Sequence, residues 1–188
     1  MKKPAEGILQ LPYSADLTKF IEYVNTFSDD EWNGWSFRQT LGNHESTNTI
    51  KIQWIPLNVK KYDETLIERN EPIYSIATEF LKDTLDFLKE YYDGTIFKII
   101  LPRLKAGSSI GLHRDSSFSL MVPHRVHIPI LTNEDVMFGC GASRLNMKVG
   151  NLYEINNSLK HWVVNRSHQD RIHLIVDVIE NKMIRGEK

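Results

Sequence analysis

The sequence predicts an α+β chain, mainly β, whose core is a jelly-roll with helices from the amino-terminal half buttressing one sheet. Three observations lead there. Two stripes of apolar residues at helical spacing come first, the helical period is lost after Gly94, and from Thr95 onward short apolar or alternating runs are separated by turn residues roughly every eight to twelve positions.

The first stripe is Leu17, Phe20, Ile21, Val24 and Phe27, with Ser14 as its expected cap. Next, Ile50, Ile52 and Trp54 alternate with Lys51 and Gln53, the pattern of a half-buried strand. After Pro72 a longer helix is expected through Ile73, Ile76, Ala77, Phe80, Leu81, Leu85, Leu88 and Tyr92, closed by Gly94 in a left-handed cap. Strands are then expected over 96–105, 109–113, 125–131, 136–138, 144–148, 151–155, 161–165 and 171–179. Turns are expected at 106–108, 132–135, 139–141 and 150–151. With no repeat or linker in view, 1–188 reads as a single domain, in which 1–94 supports a jelly-roll over 95–180.

At 188 residues the chain is long enough to bury a core without disulfides, and a single cysteine, Cys140, excludes both a disulfide framework and a Cys-rich zinc site. The balance of 23 Lys and Arg against 24 Asp and Glu gives a formal charge of -1, so no basic field points to nucleic acid. No signal-like or membrane-spanning apolar run is seen, and the expectation is a cytoplasmic protein with no membrane partner. Trp32, Trp35 and Trp54 are expected in the core, and Cys140, between two glycines, in a turn.

The residues that carry chemistry lie in the β half. His113 and Asp115 are two apart, so an extended backbone projects both side chains from one face. His161, entering another expected strand, is placed to complete a set of two histidines and one carboxylate. Such a facial triad binds non-haem Fe(II) and leaves positions open for a cosubstrate and O2. The same three ligands also suit a catalytic zinc, so a zinc hydrolase remains an alternative, as does a cupin-like module that binds a metal or small acid without turnover. The tripeptide His113-Arg114-Asp115 also mimics a kinase catalytic loop, but the Asn that loop requires is replaced by Leu120.

A cosubstrate site is expected beside the triad. Arg171 opens an otherwise apolar strand, and a hairpin from His161 would lay it near the metal. Its fork suits the far carboxylate of 2-oxoglutarate. The plainer expectation for Arg171 is a strand-end ion pair with Asp170 or Asp177. In 125–130, Arg125 and His127 share one face while Val126, Ile128 and Ile130 fill the other. A cavity holding Arg125, His127 and Arg171 would need a neutralising anion, for which 2-oxoglutarate is the candidate.

With these residues in hand, the chain resembles the aspartyl/asparaginyl β-hydroxylase-like branch of the Fe(II)/2-oxoglutarate dioxygenases, a cupin-like branch with a double-stranded β-helix that also includes proline cis-hydroxylases. The resemblance runs from about Ile96 to Ile179. It is carried by Arg103-Leu104-Lys105-Ala106-Gly107-Ser108 leading to His113-Arg114-Asp115, by Arg125-Val126-His127 with Thr132-Asn133, by 150–157 leading to His161, and by Asn165 with 171–177. It implies that His113 and His161 bind iron, that Arg171 binds the distal carboxylate of 2-oxoglutarate, and that His127 contacts the cosubstrate, with Arg125 in the same cavity. Some members lack the carboxylate ligand, and Asp115 implies a full triad here. The implied reaction is hydroxylation of an amino-acid side chain, free or within a peptide or protein, coupled to conversion of 2-oxoglutarate to succinate and CO2. Upstream, Arg38-Gln39, His44 and 47–50 resemble the family's leading strand without assigned roles.

Overall fold

The computed structural model describes residues 3–35 and 44–185. Arg38 and Gln39 lie outside the described residues. Two antiparallel sheets face each other. The larger has seven strands in the order β1 (Ile8–Ser14), β9 (Asn151–Ile155), β6 (His124–Leu131), β11 (Arg171–Glu180), β4 (Gly94–Leu104), β2 (Thr47–Trp54) and β3 (Glu68–Arg69). The smaller has four, β5 (Ser109–His113), β10 (His161–Asn165), β7 (Val136–Cys140) and β8 (Ser143–Leu145). Successive strands from β4 to β7 alternate between the sheets, and so do β9, β10 and β11, which is the winding of a jelly-roll.

The outer face of the large sheet is covered by α1 (Thr18–Val24), α3 (Ile73–Phe80) and α4 (Lys82–Tyr91). Phe20, Val24, Ala77, Leu85 and Leu88 from these helices pack with Ile50, Ile99, Val126, Ile128, Leu174 and Val176 of the sheet in one core. That is why β6 and β11 carry branched residues on one face and are free to carry polar residues on the other. A second cluster, including Leu104, Ile110, Phe138, Tyr153 and Val163, fills the space between the sheets. Short helices α2 (Asp29–Asn33), α5 (Phe118–Met121) and α6 (Asn181–Ile184) complete the described elements, with a capping box from Ser28 and Glu31 fixing the start of α2.

Several local expectations are corrected. Ser14 ends a strand, β1, rather than capping a helix, and the first turn of α1 is instead held by Asp16, whose carboxylate accepts from Thr18 N and Oγ1 at 3.0 and 2.8 Å. The long helix after Pro72 breaks at Leu81 into α3 and α4. Its left-handed residue is Asp93 (φ 42°), and Gly94 already belongs to β4. Strand β2 is covered on both faces rather than one, since Gln53 is buried and donates to Ile96 O at 2.6 Å. The Gly139-Cys140 pair continues β7, where Cys140 is buried, because the Trp162 ring lies over Gly139 and leaves no room for a side chain there.

Candidate active site

Strands β5 and β10 are paired with His113 directly opposite His161, so two imidazoles from distant parts of the sequence meet at one end of the small sheet. Their ring centroids are 4.2 Å apart. Asp115, just past the end of β5, joins them, and one ligand atom from each of the three lies within 4.8 Å of the others. Each histidine is oriented through its own backbone neighbourhood. Nδ1 of His113 is 2.8 Å from Gly111 O and Nδ1 of His161 is 3.0 Å from Leu159 O. A carbonyl only accepts, so the proton sits on Nδ1 in both rings and each Nε2 keeps its lone pair for a metal. Burial lowers the pKa of His161, which favours the same neutral state.

The opposite wall comes from the large sheet. Arg125 and His127 on β6 and Arg171 on β11 line one inner cavity of about 40 Å³ together with His113, Asp115 and His161. All six residues singled out in the sequence therefore converge. The expected hairpin from His161 to Arg171 is corrected, because β10 lies in the small sheet and β11 in the large one. The chain crosses the barrel between them, and Arg171 faces the triad from the other wall.

Around Arg171 the polar groups are buried and close. Its Nη2 donates to Nδ1 of His173 at 2.7 Å, and Nδ1 of His127 lies 3.4 Å from that same nitrogen. Burial, then Arg171, holds the pKa of both histidines well below the usual 6.5, with Arg125 adding to the effect at His127 and His127 itself adding to it at His173. Both rings are neutral at pH 7. Because Arg171 occupies the lone pair of His173 Nδ1, the proton of His173 is on Nε2. The Nε2 atoms of His127 and His173 are buried and meet no hydrogen-bond partner among the described residues. A carboxylate in the inner cavity would meet the Arg171 guanidinium on that wall. The inner cavity of about 40 Å³ with its guanidinium fits one carboxylate end of 2-oxoglutarate, and the triad's two imidazoles and one carboxylate fit Fe(II).

Arg125 does more than line the cavity. Its Nε and Nη2 grip Asp177 at 2.9 and 2.8 Å, and its Nη1 donates to Asp115 Oδ2. Lys98 Nζ also meets Asp177 Oδ2, at 3.0 Å. The result is a buried chain, Asp115, Arg125, Asp177, Lys98, that runs from the metal face into the large sheet. Burial alone would raise the pKa of Asp177, but Arg125 and Lys98 overcome it and hold the carboxyl well below 3.8. The ion pairs foreseen for Arg171 go elsewhere: Asp177 to Arg125 and Lys98, and Asp170 to Arg103 Nε at 3.7 Å and to Ala106 N at 2.8 Å.

An outer cavity of about 300 Å³ opens onto the triad, lined by Trp35, His44, Trp54, Leu57, Lys98 and Leu120 as well as His113, Asp115 and Arg125. Trp32 is in the core as expected, but Trp35 and Trp54 line this mouth instead, 4.8 Å apart in an edge-on contact. The ring of His44 stands 5.1 Å from that of His113 and borders both cavities. Lys98 was missed in the sequence. The signal for it was a lone charge inside the apolar run 96–101, the same anomaly that marks Asp177 within 172–179.

A profile of the aspartyl/asparaginyl β-hydroxylase family matches residues 22–181, most of the chain. The chain belongs to that family. Membership makes it a 2-oxoglutarate-dependent oxygenase-type enzyme. Among solved structures, a 2OG-Fe(II) oxygenase-family oxidoreductase from Burkholderia pseudomallei is similar at TM-score 0.67 and 13% identity, covering 96% of this chain and 88% of that one. A prolyl hydroxylase from Trichoplax adhaerens, in complex with a hypoxia inducible factor peptide fragment, is similar at TM-score 0.54 and 10% identity over 98% of this chain and 88% of that one. The viral collagen prolyl hydroxylase of Paramecium Bursaria Chlorella virus-1, a 2OG complex, is similar at TM-score 0.53 and 9% identity over 93% and 96%. At these identities the likeness is one of fold. A comparison with curated protein sequences finds no match. Among the described residues no helix is long and apolar enough to cross a membrane.

Proposed function

We propose that the single domain is an Fe(II)/2-oxoglutarate-dependent hydroxylase acting on a carbon-hydrogen bond of an amino-acid side chain, with His113, Asp115 and His161 holding iron. Arg171 and His127 hold the distal carboxylate of 2-oxoglutarate. Arg125 borders the cosubstrate and fixes Asp115. The observation that carries this reading is the convergence in one cavity of three ligand atoms within 4.8 Å and a buried arginine with a neutral histidine beside it.

When bound, iron would supply O2 activation coupled to oxidative decarboxylation of 2-oxoglutarate to succinate and CO2. The chain's own residues supply position and electrostatics. The Nδ1–H bonds of His113 and His161 fix ring orientation, Arg125 prevents Asp115 from swinging out of the ligand face, and the β6/β11 wall excludes water around the cosubstrate. The test is succinate release from 2-oxoglutarate by the Fe(II)-loaded protein in air, with loss in His161→Ala. Turnover under argon with Zn(II), and none with Fe(II) in air, would overturn the proposal in favour of hydrolysis.

A further inference from the structure

The buried charges beside the metal face do not balance, and the imbalance has a place. Asp177 is already neutralised by a two-point grip from Arg125, yet a second cation, Lys98, is buried against it with its side chain 1% exposed. Burying an ammonium costs several kcal/mol unless it has compensating partners. Here the compensation is a single contact: Nζ lies 3.0 Å from Asp177 Oδ2, an oxygen that Arg125 Nη2 already holds at 2.8 Å, and it meets no other acceptor among the described residues. Its other neighbour is the face of Trp54, with Nζ 4.4 Å from the ring centroid.

The proposed contents of the site do not remove this excess. Iron, Asp115, the 2-oxoglutarate dianion and Arg171 would cancel among themselves, which leaves Lys98 and Arg125 against Asp177 within this ion-pair chain; Lys3, held outside it by Asn157 Oδ1 and Met121 O, and exposed Arg114 at the cavity rim bring no anion. Lys98 lines the outer cavity, along with His113 and Asp115. That cavity, at about 300 Å³, is at the small end of ligand pockets and suits something the size of one amino-acid unit rather than a protein surface. Its other walls are largely apolar, from Trp35, Trp54, Leu57 and Leu120.

We infer that the substrate is a small monoanionic carboxylate, its carboxylate docked on Lys98 Nζ and its carbon skeleton held between Trp35, Trp54 and Leu57 so that a carbon-hydrogen bond faces the triad. The carboxylate supplies the acceptors that Lys98 lacks and cancels the remaining charge. Burial lowers the Lys98 pKa and Asp177 offsets part of the fall, so that it rests at about 8 and the group is protonated at pH 7 and ready to be stabilised further by an anion. The identity of the outer cavity as the substrate site rests on the oxygenase reading. The anion-binding property of Lys98 does not.

The experiment measures binding, by quenching of tryptophan fluorescence, of three monoanions against their neutral amides: N-acetyl-L-leucine and N-acetyl-L-leucinamide, N-acetyl-L-proline and N-acetyl-L-prolinamide, N-acetyl-L-aspartate α-amide and N-acetyl-L-asparagine α-amide. A capped peptide, acetyl-Ala-Asp-Ala-amide, separates a side-chain carboxylate within a peptide from a single amino-acid unit. Titrations are made under argon, with and without saturating Mn(II) and 2-oxoglutarate, so that acids cannot be scored for occupying the inner cavity. The expected result is that at least one acid binds about 10-fold or more tightly than its amide with the inner cavity filled, as a charged hydrogen bond requires. Lys98→Met should lose that preference and Lys98→Arg should keep it. Equal binding of acid and amide in every pair, or a preference undiminished in Lys98→Met, overturns the inference. If Lys98→Met does not fold, the wild-type ratio decides alone. Failure of the oxygenase reading would look different: Mn(II) and 2-oxoglutarate would not bind, while the Lys98-dependent preference persisted.

Discussion

The small sheet presents its functional groups at strand ends: His113 and Asp115 are partly open to solvent, and the two imidazoles are steadied by carbonyls two residues away. The large sheet presents its groups sealed on the central strands β6 and β11, with Arg125, His127, Arg171, His173 and Asp177 all 7% exposed or less. The two walls differ because a metal ligand needs only a lone pair and an orientation, which a strand end with local backbone partners provides. Anion recognition needs a dry surface, where a guanidinium gains most from its partner but also destabilises most when mispaired. The small sheet should therefore tolerate substitution structurally and fail chemically, whereas substitutions in the large sheet should weaken the fold itself.

The sharpest way to break this contrast is His161→Ala. Turnover and metal binding should be lost, while the denaturation midpoint of the metal-free protein should move by about 1 kcal/mol or less, since one local hydrogen bond is removed. Loss of the fold in this variant would mean that the small sheet carries as much of the stability as the large one. Asp177→Asn, on the opposite wall, should do the reverse. It leaves Arg125 and Lys98 facing each other with only Asp115 nearby, and breaking such a buried pair destabilises by about 3–5 kcal/mol. Chemical denaturation of the metal-free variant measures it.

A middle-sized effect is expected where the two walls meet in function. Arg171→Gln should raise the 2-oxoglutarate concentration needed for half-maximal turnover by about 10–100-fold, the loss of a charged hydrogen bond in a buried site, with metal affinity unchanged. Equal losses in metal binding and cosubstrate requirement would sink the separation of roles.

The small sheet was the more legible wall. The spacing of His113 and Asp115 on a short strand, and the turn before His161, are local signals, and β5 and β10, the two strands that carry the histidines, begin and end where the sequence places them, whereas β7 and β8 of the same sheet do not. The large sheet was legible only where polarity broke a pattern. Arg125 and His127 stood out by alternation and Arg171 as a charge opening an apolar strand, but Lys98 lies in a run buried on both faces, where no alternation exists to interrupt. Strand β1 was hidden because its partner, β9, is more than a hundred residues away and its own residues are half exposed. The crossing from β10 to β11 was missed for a related reason: a ten-residue interval fits a hairpin as well as a change of sheet, and only the packing of both faces decides.

The finest distinction between the walls is in their response to pH. His127 and His173 are neutral in the fold because burial and the guanidinium of Arg171 disfavour their charged forms, with Arg125 also facing His127. In the unfolded chain each takes up a proton near 6.5. A folded pKa below the unfolded one means that the unfolded state binds more protons as pH falls. Their contribution is therefore complete above 6.5 and lost progressively below it, at up to about 1.4 kcal/mol per pH unit for each ring. Comparing denaturation midpoints of the metal-free protein at pH 7.5 and about 5.5 should show this fall. His173→Phe, which keeps a ring in place but cannot titrate, should remove about 1.4 kcal/mol of the total fall between those two pH values. A slope indifferent to His173 would mean that the large-sheet wall is wet enough to charge its histidines in place, and the contrast with the small sheet would lose its physical basis.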